Sequence, residues 1–202
     1  MSVPDSSSAP LRFAIVDVET SGLEMRSDQI LQLAVVALDL DLEGQVHTSE
    51  WSTMVRTRFP WDSVGPRHIH GIRRRSLWGA PSMRRALDTF EQQIAGRIFT
   101  AHNAAFDSGF LFAAAHRRGR SIQLDPRLCT LELSRRLDPD KKLRHRLADI
   151  AERHGIPHDN PHDALEDART TAAILPQLLK AHGVSCYQEL QPHFLRPVDY
   201  VA

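Results

Sequence analysis

Hydrophobic residues enter this chain in two rhythms. Residues 12 to 18 form a β-branched apolar run that Thr20-Ser-Gly22 breaks. A longer run covers Ile30 to Leu40, Leu42-Glu-Gly44 signals a turn, and Val46 to Thr57 reads as a third strand. Links this short join antiparallel neighbours, because a parallel pair needs a long crossover. Residues 59 to 79 follow neither rhythm and carry Pro60, Gly65, Pro66, Gly71 and Gly79, which predicts a long loop of the kind that often has a function. The period then changes. Met83, Leu87, Phe90 and Ile94 recur at three- and four-residue steps behind Pro81-Ser82, predicting a helix that Gly96 stops.

Arg97 to Ala101 is a short apolar strand, and Asn103 stands where a cap would for a helix from Ala104 to about Arg118, closed by Gly119. A fifth strand is expected near Ile122 to Leu124. Leu131 to Leu137, Leu147 to His154 and Ala164 to Ala181 are helical candidates, with Pro176 placed to kink the last. Three strands followed by alternating helix and strand imply an α/β sheet with helices on its faces. The expected organisation is a disordered lead over residues 1–11, one domain over 12–184 and a tail over 185–202.

Composition narrows this picture little. The 202 residues are 42% hydrophobic and 25% charged, as in ordinary globular proteins, and the formal net charge is zero. Any binding of a polyanion must therefore come from local patches. Cys129 and Cys186 form neither a disulfide framework nor a metal-ligand spacing, which points to a reduced, cytoplasmic setting. The first ten residues have no basic n-region or apolar h-region of a signal peptide. No segment approaches the roughly 18 apolar residues of a membrane span, so no membrane partner is expected.

Candidate chemistry starts with Asp17 and Glu19 at the end of the first run. Side chains two apart on a strand share a face and lie within about 7 Å. Two acids there repel unless a positive group sits between them, so the pair is either a polar strand end entering solvent or half of a cation site. Asp107 falls in the first turn of a helix just after a strand. It is either a partner of the helix dipole or an interior acid beside the Phe106–Phe110–Ala113 stripe. In Asn160-Pro-His-Asp-Ala-Leu-Glu-Asp167, His162 and Asp167 would sit about 140° apart around one helix. They serve one centre better if His162 lies on the loop ahead of the helix, which Pro161 favours. Asp163 and Glu166 read as dipole partners on a solvated face. Jointly these residues give four carboxylates and a histidine without thiolates, a set suited to Mg²⁺ or Mn²⁺. Two such ions would serve an in-line phosphoryl displacement, with the histidine taking the proton of the attacking water.

The segments Asp17-Val-Glu19-Thr-Ser-Gly-Leu23, His102-Asn-Ala-Ala-Phe-Asp107 and His162-Asp-Ala-Leu-Glu-Asp167 resemble the three motifs of the DEDDh (DnaQ-like) 3′–5′ exonucleases, the group of the polymerase III epsilon subunits. The resemblance spans roughly residues 13 to 180, in the family's order and spacing. It implies a ribonuclease H-like fold, a mixed five-stranded sheet flanked by helices. It also implies that Asp17, Glu19, Asp107 and Asp167 are metal ligands and catalytic, and that His162 is the general base. Thr20 and Leu23 match positions that contact the terminal nucleotide. Ile69-His70-Gly-Ile72 is similar to a family segment whose histidine, here His70, lies near the substrate strand. Ser21 and Arg73-Arg-Arg75 depart from the usual residues, and the tail that docks an epsilon subunit on its polymerase is not recognisable.

The implied activity is a two-metal 3′–5′ exonuclease acting on single-stranded or 3′-end nucleic acid, DNA before RNA, freestanding or beside a DNA polymerase subunit. The rivals are an RNA-trimming enzyme similar to RNase T and a non-catalytic nucleic-acid-binding module. Among the basic clusters only Arg73–Arg75 is a candidate phosphate track. Trp51, Trp61 and Trp78 read as core or loop anchors, and His68, His116, His145 and His158 as surface histidines.

Overall fold

The fold comes from a computed structural model, which describes residues 10–40, 46–59 and 61–197. Strands β1 (Leu11–Thr20), β2 (Ile30–Leu40) and β3 (Val46–Met54) form the expected antiparallel meander. After helices α1 (Arg67–His70) and α2 (Met83–Ile94), strand β4 (Ile98–Ala101) joins β1 in parallel. Helix α3 (Ala104–His116) then leads to β5 (Arg127–Cys129), parallel to β4, giving the mixed order β3-β2-β1-β4-β5. Helices α4 (Thr130–Arg136), α5 (Leu147–Arg153), α6 (Ala164–Ala181) and α7 (Tyr187–Leu190) complete the chain. Among the described residues no helix is long and apolar enough to cross a membrane.

Strand alternation sorts the apolar side chains onto two faces. Phe13, Ile15, Ala34 and Val36 pack beneath Ile150 of α5 and Ala168 and Leu175 of α6. Val16, Val18, Leu33 and Val35 pack beneath Leu87 and Phe90 of α2 and Phe110 of α3. Fully burying one such large side chain contributes about 1.5–3 kcal/mol, so both helical layers are held firmly to the sheet.

Three expectations change. The fifth strand is Arg127–Cys129, not Ile122–Leu124. Ile122 and Leu124 are buried, but they enter the core from irregular chain, while a strand that begins with arginine carries no apolar signal. Asn103 occupies the N-cap position of α3 with a left-handed backbone (φ 69°) and makes no side-chain cap, using asparagine's tolerance of that conformation. The loop after β3 contains α1 and a 3-10 turn over Arg74–Leu77, and Val64, Ile72 and Leu77 form a small core of their own with Leu31. The turn signal at 42–44, Pro60 and most of the expected N-terminal lead lie outside the described residues. Leu11, the last residue of that lead, is buried and already paired with Leu40.

Leu31 reaches that small core because the β1–β2 register shifts between Glu19 and Thr20, leaving it as the extra residue of a bulge. At the other end of the domain, the segment expected to be a tail is part of the fold as far as residue 197. Leu190 is buried, and Leu195 donates its amide to the carbonyl of Arg127 at 2.8 Å. The buried Arg127 guanidinium joins Asp125 (2.9 Å), Ser108 (3.0 Å) and the carbonyl of Arg196 (2.9 Å). Arg127→Met leaves these acceptors without their donor, with Asp125 partly solvated. The expected loss is about 2–4 kcal/mol, read as a lower urea midpoint at unchanged m-value. A loss below about 1 kcal/mol would show that the clamp contributes little.

Candidate active site

Three pieces of chain meet at the carboxyl end of β1. Asp17 and Glu19 continue the face that Phe13 and Ile15 turn toward α6, so they look at the start of that helix. β1 outruns β4, whose ladder with it stops at Ile15–Thr100. The Val18 amide beyond that point is donated to Asp107 Oδ1 at 3.2 Å, which draws the first turn of α3 to the strand end. The start of α6 is fixed by Gln32, the buried partner of Glu19 on β2. Its amide donates to Asp163 Oδ2 (3.3 Å) and accepts from the Ala164 amide (3.4 Å). Asp167 follows one turn later.

The result is a cavity of about 340 Å³ lined by Asp17, Glu19, Asp107 and Asp167, with His162 at its edge. Thr20, Leu23 and His70 line the same cavity. One ligand atom each of Glu19, His162 and Asp167 lie within 4.8 Å of one another. His162 precedes α6 in a left-handed conformation (φ 67°), off the helix, and its amide donates to Asp167 Oδ2 at 3.3 Å. Asp163 caps α6 through the amides of Leu165 and Glu166, and Glu166 is ion-paired to Arg169. Neither lines the cavity.

The cluster's electrostatics ask for a cation. Burial first, and then the charges of Asp107, Asp167 and Glu19, push the Asp17 carboxyl well above the usual carboxylate range. Glu19 is pushed up to about 8 by burial and then by Asp167, Asp163 and Asp107. Asp107 also rises to about 8 through burial, against the pull of amide bonds from Val18 and its own backbone. A divalent ion would supply the missing positive charge, and the hard oxygen donors fit Mg²⁺ or Mn²⁺.

The other predicted contacts divide. Leu23 is 79% exposed at the mouth, an apolar side chain with nothing yet to cover it. Thr20 donates its hydroxyl to the Gly22 carbonyl (2.6 Å), which shapes the turn between them. His70 is committed internally: Nδ1 accepts from the Ile72 amide (3.0 Å), so Nε2 carries the proton and donates to the Val64 carbonyl (2.9 Å). Burial lowers its pKa, and neither ring nitrogen is left for a strand. His70 thus walls the cavity and does not reach out from it.

Two histidines were missed. His158, read as a surface residue, is part-buried with Nε2 at 2.7 Å from Asp167 Oδ1. His102 lines the cavity, shares a hydrogen bond with the Thr130 hydroxyl (3.1 Å) and is held neutral by burial, its pKa pushed down to about 4. Its place inside a matched motif was a usable signal; His158 gave none, because a nine-residue separation from Asp167 across a loop has no periodicity. His145, also read as a surface residue, bridges Ser134 (2.8 Å) and Asp138 (3.2 Å).

With this geometry in place, the comparison with known proteins is decisive. The model of the RNase T family, described as an exonuclease, matches residues 14–175. The chain belongs to this exonuclease family. Its chemistry is that of a 3′–5′ exonuclease. The exonuclease is 29% identical over 186 residues to the DNA polymerase III subunit epsilon of Aquifex aeolicus, covering 89% of this chain and 88% of the relative. It is 31% identical over 186 residues to the PolC-type DNA polymerase III of Lacticaseibacillus paracasei. That match covers 90% of this chain but spans only 12% of the polymerase. The nuclease domain of 3′hExo, a DEDDh family member solved with rAMP, superposes with a TM-score of 0.74 at 15% identity, covering 95% of this chain and all of that domain. That likeness establishes the shared fold.

The raised carboxyl groups give a pH dependence with a definite sign. An acid whose folded pKa is raised stabilises the fold below its ordinary pKa, and that stability is lost as pH climbs through the folded value. For Glu19 and Asp107 the window runs from their ordinary 4.5 and 3.8 up to about 8. His102 works oppositely, but only between about 4 and its ordinary 6.5. From about pH 6.5 to 8.5, melting in chelator should therefore fall to lower temperature, and Mn²⁺ should restore most at the alkaline end. A flat or rising melting temperature over that range would contradict the assignment.

Proposed function

We propose that this exonuclease removes nucleoside 5′-monophosphates one at a time from the 3′ end of DNA, using two divalent ions, Mg²⁺ or Mn²⁺. The observation that carries the reading is the convergence of Asp17, Glu19, Asp107 and Asp167 with His162 in one cavity, from three separate segments of the chain. The DNA polymerase III names of the relatives favour DNA. The rAMP-bound structural neighbour keeps RNA as the second substrate to assay. The epsilon relative makes a DNA polymerase subunit the partner to seek by co-purification.

In this mechanism the four carboxylates would hold the ions, which when bound would offset charge on the attacking and leaving oxygens of the phosphodiester. His162, exposed at the edge of the cavity, takes the proton from the attacking water. Leu23 supplies an apolar surface for the terminal base, and Thr20 keeps the turn that presents it. The 5′-phosphate leaves with the terminal nucleoside, and a 3′-hydroxyl remains on the shortened strand. His158 is a positioning residue: by donating to one oxygen of Asp167 while the His162 amide holds the other, it orients that carboxylate.

A 5′-labelled DNA single strand should give a ladder of shortened products with Mn²⁺ or Mg²⁺ and none with chelator; an RNA of the same sequence run beside it decides the sugar. No ladder from either strand would defeat the proposal. Asp17→Asn should abolish turnover, and His162→Ala should lower kcat by about 10²–10⁴-fold. His158→Ala should raise the metal concentration needed for half-maximal rate by roughly 10–100-fold, with kcat recovering at saturating metal. A loss of kcat that excess metal leaves unchanged would remove His158 from that role.

A further inference from the structure

The substrate surface of this chain extends past the catalytic cavity. Residues 56 to 78 carry six arginines (Arg56, Arg58, Arg67, Arg73, Arg74 and Arg75) and a single acid, Asp62, on a chain whose charges as a whole balance at 25 and 25. That acid is already engaged, accepting from the Gln29 side chain and the Phe59 amide at 2.8 Å each. Arg67, Arg73 and Arg75 have no salt bridge to a carboxylate among the described residues. Burial, and then the charges of Arg117, Arg58 and Arg84, lower the pKa of Arg118 nearby, so the positive field continues beyond the loop.

Aromatic rings stand among these cations. Trp61 and Trp78 are each 75% exposed, against the expectation that they anchor the loop. Phe59 stacks on one face of Trp61 with centroids 5.3 Å apart and planes 6° from parallel, while the Arg58 guanidinium lies 5.1 Å from the Phe59 centroid. The loop's own core of Val64, Ile72 and Leu77 fixes this chain from beneath, so the exposed rings are not its anchors. Two adjoining hollows follow, of about 670 Å³ beside Arg67, Arg73 and Arg75 and of about 310 Å³ beside Arg56 and Arg58; Trp78 lines both. Helix α1 is the partition between hollow and cavity. Pro66, Ile69 and His70 face the catalytic cavity, while Arg67 and His68 face the larger hollow.

We propose that this arginine and tryptophan strip is the track for the single-stranded segment upstream of the 3′ nucleotide, with phosphates on the arginines and unstacked bases on Trp78 and Trp61. It rests on the 3′-exonuclease reading of the neighbouring cavity. Aromatic faces among cations suit single-stranded nucleic acid, which offers a regular line of negative charge and flat bases that need no sequence-specific partner. A folded acidic protein would use the charge and leave the open ring faces without a role. DNA and RNA share the recognised chemistry, and the test carries both.

The test measures anisotropy of 5′-fluorescein (dT)20 and (rU)20 in chelator, where cleavage is blocked, across a salt titration. The double variant Arg73→Gln/Arg75→Gln should flatten the log–log salt slope by roughly 1.4, about 0.7 per phosphate contact, a loss of roughly 25-fold at 0.1 M salt relative to 1 M. Trp78→Ala should weaken binding roughly ten- to a hundredfold with the slope kept, and Trp78→Phe should restore most of it. Unchanged affinity and slope for both oligonucleotides in these folded variants would overturn the track and leave the strip to a protein partner. Hydrolysis of p-nitrophenyl thymidine 5′-monophosphate by the native protein with Mn²⁺ reports on the cavity alone. Its absence would count against the catalytic reading, while the anisotropy would still judge the track.

Discussion

Four carboxylates crowded into one part-buried cavity repel each other, and much of the surrounding structure restrains that repulsion. Asp17 and Glu19 arrive together on β1, Asp107 on α3 and Asp167 on α6, and bonds from outside the acid cluster tie the last two. The Val18 amide, left over where β1 outruns β4, holds Asp107. Asp167 is gripped on one oxygen by His158 and on the other by the His162 amide. Gln32 binds the cap of α6 to β2 directly beside Glu19. Amide donors such as those of Val18, His162 and Gln32 tie an acid in place without cancelling its charge, so the cavity keeps its demand for a cation. Arginine in any of these places would have satisfied the carboxylates and closed the site to metal.

The same economy of charge operates across the molecule. A net charge of zero conceals a separation, with acids drawn into the cavity and arginines gathered on the loop beside it. A polyanion meets the two fields in the order that suits it. The arginine side can hold upstream phosphates, and the acidic side admits a phosphodiester only when cations accompany it. Metal would thus act as a gate as well as a reagent, because the cavity without it repels its own substrate.

The fold was legible in the sequence wherever apolar periodicity was strong. The helices at Met83–Ile94 and Ala164–Ala181 and the strand at Ile30–Leu40 lie where the pattern put them. Legibility failed where burial and hydrogen bonding are decided by distant chain. Arg127 looks like a surface residue until Ser108, Asp125 and Arg196 surround it, so the fifth strand was expected too early, at Ile122 to Leu124. The candidate site was legible because its residues sit in short local motifs, and the structure gathers all eight of them around one cavity. His158 and Gln32 were not, since each acts through a contact between elements that only the folded sheet brings together. The two exposed tryptophans failed for a related reason. Large aromatic residues are usually buried, and only the small core of Val64, Ile72 and Leu77 reveals that the loop is anchored without them.

That loop also joins the two halves of the substrate surface. Gly65 adopts φ 71°, and a Cβ there would collide with the Ser21 carbonyl, so the loop lies directly against the turn that carries Thr20 and Leu23. His70 ties the same loop to itself through both ring nitrogens, between the cavity on one side and the arginine hollow on the other. The wall that shapes the proposed nucleotide site and the track proposed for the upstream strand are therefore one packed unit. A hydrogen bond from His70 to the substrate would add one contact. Its internal bonds instead set the relation between the two surfaces, which decides whether a strand held on the arginines presents its 3′ end to the metals.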